Sequence, residues 1–101
     1  MTIMRKMIAD AMVRSYFEAP HATFVNEVDV TKLMKQIKES KESFLKENGF
    51  KLTITSYIAK AIADSVKEFP MVNSSLDGDD IVIKKSVNLG LAVSVDQGIL
   101  V

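Results

Sequence analysis

Residues 53–70 read TITSYIAKAIADSVKEFP and carry the strongest helical signal of the chain. Apolar side chains recur there at intervals of three and four, which is the spacing of one face of an α-helix. They are Ile54, Tyr57, Ile58, Ala61, Ile62, Val66 and Phe69. Charged residues fall between them, and Pro70 ends the pattern. Because the apolar arc is wide, we predict a helix over 53–69 that is central to the core.

Two further helices are predicted upstream of this stretch. Residues 2–16 place apolar side chains at helical spacing, and the hydroxyl of Thr2 can accept an otherwise unpaired N–H at its start. Residues 32–48 carry an apolar stripe on a helix otherwise dense in Lys and Glu. Asp29 or Thr31 is expected to cap this second helix.

The other segments favour strands, because they are rich in β-branched residues or alternate between apolar and polar side chains. The predicted strands are residues 21–30, 81–84 and 87–95, with another beginning at 99–101. Turn signals separate them, DGD at 77–79 and DQG at 96–98. Helices and strands in one short chain indicate an α/β fold.

Composition excludes several classes of protein. The chain has 101 residues, 48% of them apolar, which fits one small domain with a core. Its 13 Lys and Arg balance 13 Asp and Glu, so no basic excess favours nucleic acid. Because the chain has no cysteine, it has no disulfide, Cys-ligated metal or Cys nucleophile. The absence of cysteine is compatible with a reducing cytoplasm. No apolar run approaches the roughly 20 residues that span a bilayer, and we expect no secretory signal at the start of the chain.

Few residues suggest chemistry by themselves. His21 is the single histidine, and a packed or strand-edge role is favoured over that of a general base. Residues 77–80 fit a hairpin turn better than a calcium loop. Ser74 and Ser75 lack a nucleophile-elbow context, and Gly90 indicates a bulge or a close backbone approach. No metal site is expected.

The chain ends within the apolar run 99–101. Natural termini are usually exposed and polar, so this ending favours the front part of a larger domain. From the residues alone, the prediction is an incomplete α/β fragment.

Several short phrases, in their order along the whole chain, resemble the catalytic domain of the 2-oxoacid dehydrogenase acyltransferases. They are MRKMIADAM (4–12), PHAT (20–23) with EVDVT (27–31), GFKLT (49–53), FPMVNSS (69–75), and NLGLAV (88–93) with QGILV (97–101). These sequence phrases are most similar to those of bacterial branched-chain-type members.

This resemblance implies a two-layer α/β sandwich similar to chloramphenicol acetyltransferase, with helices packed on a mixed β-sheet. Residues 1–101 would be the N-terminal part of one acyltransferase core domain, with no second domain. The implied reaction is acyl transfer between dihydrolipoyl groups and coenzyme A, without a metal. The implied setting is a cytoplasmic 2-oxoacid dehydrogenase complex, in which the protein forms homotrimers and a larger core. Its partners would be the decarboxylase and dihydrolipoamide dehydrogenase subunits.

The resemblance places no catalytic residue in this chain. The family's base is the histidine of a His-x-x-x-Asp-Gly motif, and we expect that motif beyond Val101. His21 does not match, because Val25 stands four residues on where the motif has Asp. The 101 residues alone are therefore expected to be inactive.

Cofactor contacts are implied for three residues. Thr53 matches a Ser/Thr position near coenzyme A, and Ser94 stands where some members place a contacting Asp. Ile37 replaces an Arg of many members that can pair with the cofactor's phosphates, so Lys38 or Lys35 would act instead, as a point charge.

Two alternatives stay open. The segment could be a catalytically inert oligomerisation or assembly module of such a core, or part of a free-standing acetyltransferase of the chloramphenicol type. A His-x-x-x-Asp-Gly motif after Val101 would favour an enzyme, and an upstream lipoyl domain would argue against the free-standing type.

Overall fold

The computed structural model describes all 101 residues as helices followed by short strands. The elements are α1 (Ile3–Glu18), α2 (Thr31–Asn48), α3 (Ile54–Glu68), a 3-10 helix (Pro70–Asn73), β1 (Ser74–Asp77), β2 (Asp80–Ile83), β3 (Val93–Val95) and β4 (Gly98–Leu100). Contacts divide the chain into two units, which we call unit 1 (Met1–Glu27 with Gly90–Val101) and unit 2 (Val28–Leu89). The predicted α/β class is confirmed.

Helix α3 forms close to its predicted bounds. Phe69 ends it, with its N–H donating to the carbonyl of Ser65 at 2.8 Å, and Pro70 starts the 3-10 helix. The predicted central burial is wrong, because α3 contains no buried residue. Within unit 2 it contacts α2 and the 3-10 helix, and Ile58 and Ile62 of its apolar arc stay 50% and 41% exposed.

Helix α2 supplies the one buried side chain of the chain, Ile37, which is 7% exposed. The expectation that Asp29 or Thr31 caps α2 is wrong in position, because Val30 is the N-cap residue. Asp29 is the residue before this N-cap, and its carboxylate accepts the N–H of Thr31 at 2.9 Å. At the other end Gly49 takes φ +78°, the left-handed conformation that stops a helix.

Helix α1 is capped as predicted. The N–H of Arg5 donates to the Thr2 hydroxyl at 3.4 Å. Inside unit 1, α1 lies against the β3–β4 hairpin so closely that a Cβ at Gly98 would be 3.1 Å from the sulfur of Met4. A side chain at position 98 would therefore require the Met4 side chain to shift.

Each pair of strands forms a two-stranded antiparallel hairpin around the predicted turn. In the first, Leu76 lies opposite Ile81, and Gly78 takes φ +62° in the two-residue turn. In the second, Ser94 lies opposite Ile99. The predicted mixed sheet is not present within these residues, because two-residue turns join only antiparallel neighbours and parallel pairs need crossovers.

The strand predicted over 21–30 is wrong. These residues have no ladder partner in either hairpin, and a strand exists only where a neighbour pairs its backbone. The strand predicted over 87–95 shortens to Val93–Val95 for the same reason. A Cβ at Gly90 would lie 3.0 Å from the side-chain atom Cγ1 of Val101, so the bulge or close backbone approach expected there stays a prediction.

Candidate functional site

A cavity of about 670 Å³ opens in unit 2 between α2 and the segment that leads into α3. Its lining combines a helix face with the three residues 52–54. The lining residues are Met34, Lys35, Ile37, Lys38, Lys41, Leu52, Thr53 and Ile54. The cavity has the size and the mixture of apolar wall and few polar groups that are typical of small-molecule sites.

Three lysines form one side of this cavity. Lys35, Lys38 and Lys41 stand three residues apart, and residues at that spacing share one face of a helix. Lys35 lies 4.0 Å from the carboxylate of Glu39, in an exposed pair that contributes little to stability. Lys38 and Lys41 have no carboxylate partner within that distance, so their charges are free to meet an anion.

Thr53 stands at the other side of the cavity, at the start of α3. It has extended backbone, with φ −127° and ψ 156°, and its side chain does not cap the helix. Its hydroxyl lies 3.1 Å from that of Ser56. The first turn of α3 has no acidic side chain, so its open N–H groups leave this wall electropositive.

The structure places two of the three predicted cofactor residues on one cavity. Lys38 and Thr53 both line it, although 15 positions separate them in the sequence. Ser94 lies exposed in β3 of unit 1. Their roles toward a cofactor stay predictions.

Ile37 and Lys41 complete the description of the cavity. Ile37 is buried and forms part of the apolar wall. Sequence reasoning missed Lys41, although its position three residues after Lys38 is the signal that could have found it.

The other candidate residues do not line the cavity, and the structure shows no chemical role for them. His21 is exposed in a segment without regular secondary structure. Residues 77–80 form the β1–β2 turn, as predicted. The hydroxyl of Ser74 donates to the carbonyl of Met71 at 2.6 Å, which satisfies the end of the 3-10 helix. No three His, Asp or Glu side chains gather closely enough to hold a metal ion, and none of the helices has the length and apolarity to cross a membrane.

A second cavity of about 560 Å³ in unit 2 is almost entirely apolar. It lies along the side of α3 that also meets the residues before α2. Its lining is Val28, Val30, Ile58, Ala61, Ile62, Ser65, Val66, Phe69 and Val72. With one hydroxyl and no charge, it offers apolar contact only.

Two carboxylates have lowered pKa values, and neither lines these cavities. The hydroxyl and the N–H of Thr31 donate to Asp29 and lower the pKa of that carboxyl. The ammonium of Lys60 donates to Asp64 at 2.6 Å and lowers the pKa of Asp64. Both carboxylates are exposed, and their hydrogen bonds fix local geometry at helix surfaces.

The chain has an α/β fold of three helices and two hairpins, and a cationic cavity lies at the start of its third helix. Comparison with known proteins identifies the family that has this fold. The catalytic-domain model of the 2-oxoacid dehydrogenases acyltransferase family matches residues 1–101. The chain belongs to this family, which confirms the resemblance seen in the sequence.

Curated relatives include components of three kinds of 2-oxoacid dehydrogenase complex, all from Bacillus subtilis (strain 168). The lipoamide acyltransferase component of the branched-chain alpha-keto acid dehydrogenase complex is 43% identical over 99% of this chain and 24% of the relative. The dihydrolipoyllysine-residue acetyltransferase component of the pyruvate dehydrogenase complex is 41% identical over 100% and 23%. The succinyltransferase component of the 2-oxoglutarate dehydrogenase complex is 34% identical over 96% and 23%.

A solved structure has the same fold. The crystal structure of a probable dihydrolipoamide acetyltransferase from Listeria monocytogenes 4b F2365 matches with a TM-score of 0.92 and 37% identity, over 99% of this chain and 43% of that chain. The present chain thus spans about a quarter of the length of the curated relatives it matches.

Proposed function

We propose that the protein carrying these residues transfers acyl groups between dihydrolipoyl groups and coenzyme A, as the core component of a 2-oxoacid dehydrogenase complex. The family match over residues 1–101 and the names of the relatives support this proposal. In it, these residues supply the N-terminal part of one core domain. The protein works in the cytoplasm as a homotrimer within a larger core, beside decarboxylase and dihydrolipoamide dehydrogenase subunits.

The observation that carries the site is the cavity shared by Lys38 and Thr53. Coenzyme A is a long molecule with phosphates at one end, and an ammonium is a point charge that attracts phosphate. Lys35, Lys38 and Lys41 would attract those phosphates, while Ile37 and its apolar neighbours would pack on uncharged parts of the cofactor. Thr53 would donate its hydroxyl to the same ligand.

Three lysines give a different kind of recognition from one arginine. A guanidinium holds phosphate through two parallel hydrogen bonds, whereas ammonium groups act mainly through charge. Binding in this cavity is therefore expected to weaken steeply with salt, since the lysines are exposed and their fields are screened. Ser94 is the third residue that we propose contacts the cofactor.

Catalysis needs a base for the attacking thiol and a donor for the oxyanion. In our proposal neither comes from residues 1–101, and the base is a histidine of a His-x-x-x-Asp-Gly motif beyond Val101. Here Asn73 stands four residues before the Asp77-Gly78 pair, so that pair does not complete the motif. These residues then bind and orient substrate without performing the transfer.

The test is titration calorimetry of coenzyme A with the chain and its variants at low salt. Lys38→Gln removes one cavity charge and is expected to weaken binding about tenfold, as for the loss of one charged hydrogen bond. Lys46→Gln is the matched control, because Lys46 is on the same helix but does not line the cavity. Equal affinity in the two variants would contradict the proposed site.

A second candidate function is an inert assembly module of such a core. The observation that favours it is the amount of exposed apolar surface, to which 31 large side chains contribute. This candidate predicts no coenzyme A binding by the chain and no effect of Lys38→Gln on any acyl transfer. The calorimetric titration therefore separates the two candidates.

A further inference from the structure

The last turn of α2 contains a chemically labile pair, Asn48 followed by Gly49. We propose that Asn48 is a latent deamidation site, which the cap of α2 keeps unreactive while the helix is closed. The geometry of this cap carries the proposal, which is independent of the proposed acyl transfer.

The reaction is an attack within the chain. The backbone nitrogen of Gly49 gives its proton to solvent and bonds to Cγ of Asn48, closing a five-membered succinimide. The bond from Cγ to Nδ2 breaks, and Nδ2 takes up a proton from solvent and leaves as ammonia. Water then opens the ring to aspartate or isoaspartate at position 48, with no oxidation or reduction. Glycine at the following position favours the attack because it has no side chain to obstruct it.

Two hydrogen bonds oppose this attack. The N–H of Gly49 donates to the carbonyl of Leu45 at 2.9 Å, so the attacking nitrogen is held inside the helical cap. Nδ2 of Asn48 donates to the carbonyl of Phe44 at 3.1 Å. That bond directs the side-chain amide toward the preceding turn, while the nucleophile lies in the following residue.

An aromatic pair supports the closed cap. The rings of Phe44 and Phe50 meet edge to face, with centroids 5.4 Å apart and planes at 79°. An apolar contact between the helix and the second residue beyond it commonly accompanies a glycine cap. Phe50 therefore keeps the segment after Gly49 folded back on α2.

Opening of the cap would allow an irreversible chemical change at Asn48. Deamidation replaces a neutral amide with a carboxylate at the C-terminal end of a helix, where the helix dipole disfavours negative charge. A carboxylate also cannot donate to the carbonyl of Phe44. The modified helix end is weaker, so each molecule that reacts once opens more readily afterwards.

The test is peptide mapping by mass spectrometry of the intact 101-residue chain during incubation at mildly alkaline pH. A synthetic peptide of residues 43–52 gives the rate without the cap. We expect Asn48 in the chain to react at least about tenfold more slowly than in the peptide, because only open molecules react. Asn26, Asn73 and Asn88 have no glycine after them and provide internal standards in the same digest.

A matched pair of variants tests the aromatic support. Phe50→Ala is expected to accelerate the reaction at Asn48 severalfold toward the peptide rate. Phe17→Ala removes the comparable edge-to-face pair with Tyr16 in α1 and should leave the rate unchanged. Reaction at the peptide rate in the unmodified chain, equal effects of both variants, or unprotected hydrogen exchange at the Gly49 amide would overturn the proposal.

Discussion

Single residues in this chain act mainly by fixing how helices begin and end. Thr31 is an example, because both its N–H and its hydroxyl donate to the carboxylate of Asp29. The two bonds favour the charged carboxylate and so lower the pKa of Asp29. They also fix the turn through which the chain enters α2.

The lowered pKa has a consequence for stability against acid. Because the pKa of Asp29 is lower in the folded chain, its stabilising contribution is complete above the ordinary value of 3.8 and is lost as pH falls through the lowered value. NMR titration of the Asp29 carboxyl should give a midpoint below 3.8. Thr31→Val, which keeps the N–H but removes the hydroxyl, should raise that midpoint. A midpoint unchanged by this substitution would contradict the assignment.

The cavity residues show how much of the candidate site can be predicted from the sequence. Family resemblance points to Lys38 and Thr53, and the structure places them on one cavity. Periodicity alone could not have joined them, because their proximity depends on how α2 meets the start of α3. Helical spacing places Lys41 beside Lys38 on α2. Lys41 could therefore have been predicted if this face of α2 had been known to border a cavity.

Helices were easier to predict than strands for a physical reason. An α-helix satisfies its backbone hydrogen bonds locally, so all three predicted helices form within about two residues of their expected ends. A strand needs a partner, and the apolar pattern of 21–30 says nothing about whether one is present. β1 was missed because SSLD lacks strand character and is ordered by pairing with β2.

The β1–β2 hairpin depends on one left-handed residue. Gly78 takes φ +62°, and a Cβ added to it would have no other atom within 4 Å, so a side chain there meets conformational strain but no steric clash. Gly78→Ala should cost about 1 kcal/mol of hairpin stability. A D-alanine at the same position, which prefers positive φ, should preserve it. Amide hydrogen exchange across β1 and β2 measures both, and equal exchange in the two variants would contradict the strain argument.

The whole molecule is unusual in how little apolar surface it covers. Ile37 alone is buried, while 31 large apolar side chains are exposed. Such surface on a folded chain usually marks contact with other protein, and a net charge of zero gives no repulsion to prevent it. The α/β class could be predicted from pattern and resemblance, but the near absence of a core could not, since patterning shows which faces are apolar and not what covers them.

The isolated chain is therefore expected to associate with itself. Static light scattering at micromolar concentration should give a mass above 11.2 kDa. High salt should leave the association intact, because apolar contact is not screened as charge pairs are. A monomer across the concentration range would show that the exposed side chains do not drive association.

We propose that the protein carrying these residues transfers acyl groups between dihydrolipoyl groups and coenzyme A. The most direct measurement is the formation of acyl-coenzyme A from an acylated dihydrolipoyl substrate, followed for the protein carrying these residues together with the His-x-x-x-Asp-Gly segment and for the 101-residue chain alone. We predict transfer by the longer protein, a raised KM for coenzyme A with Lys38→Gln, and none by the chain alone. No transfer by the longer protein, or transfer by the 101 residues without that segment, would contradict the proposed function.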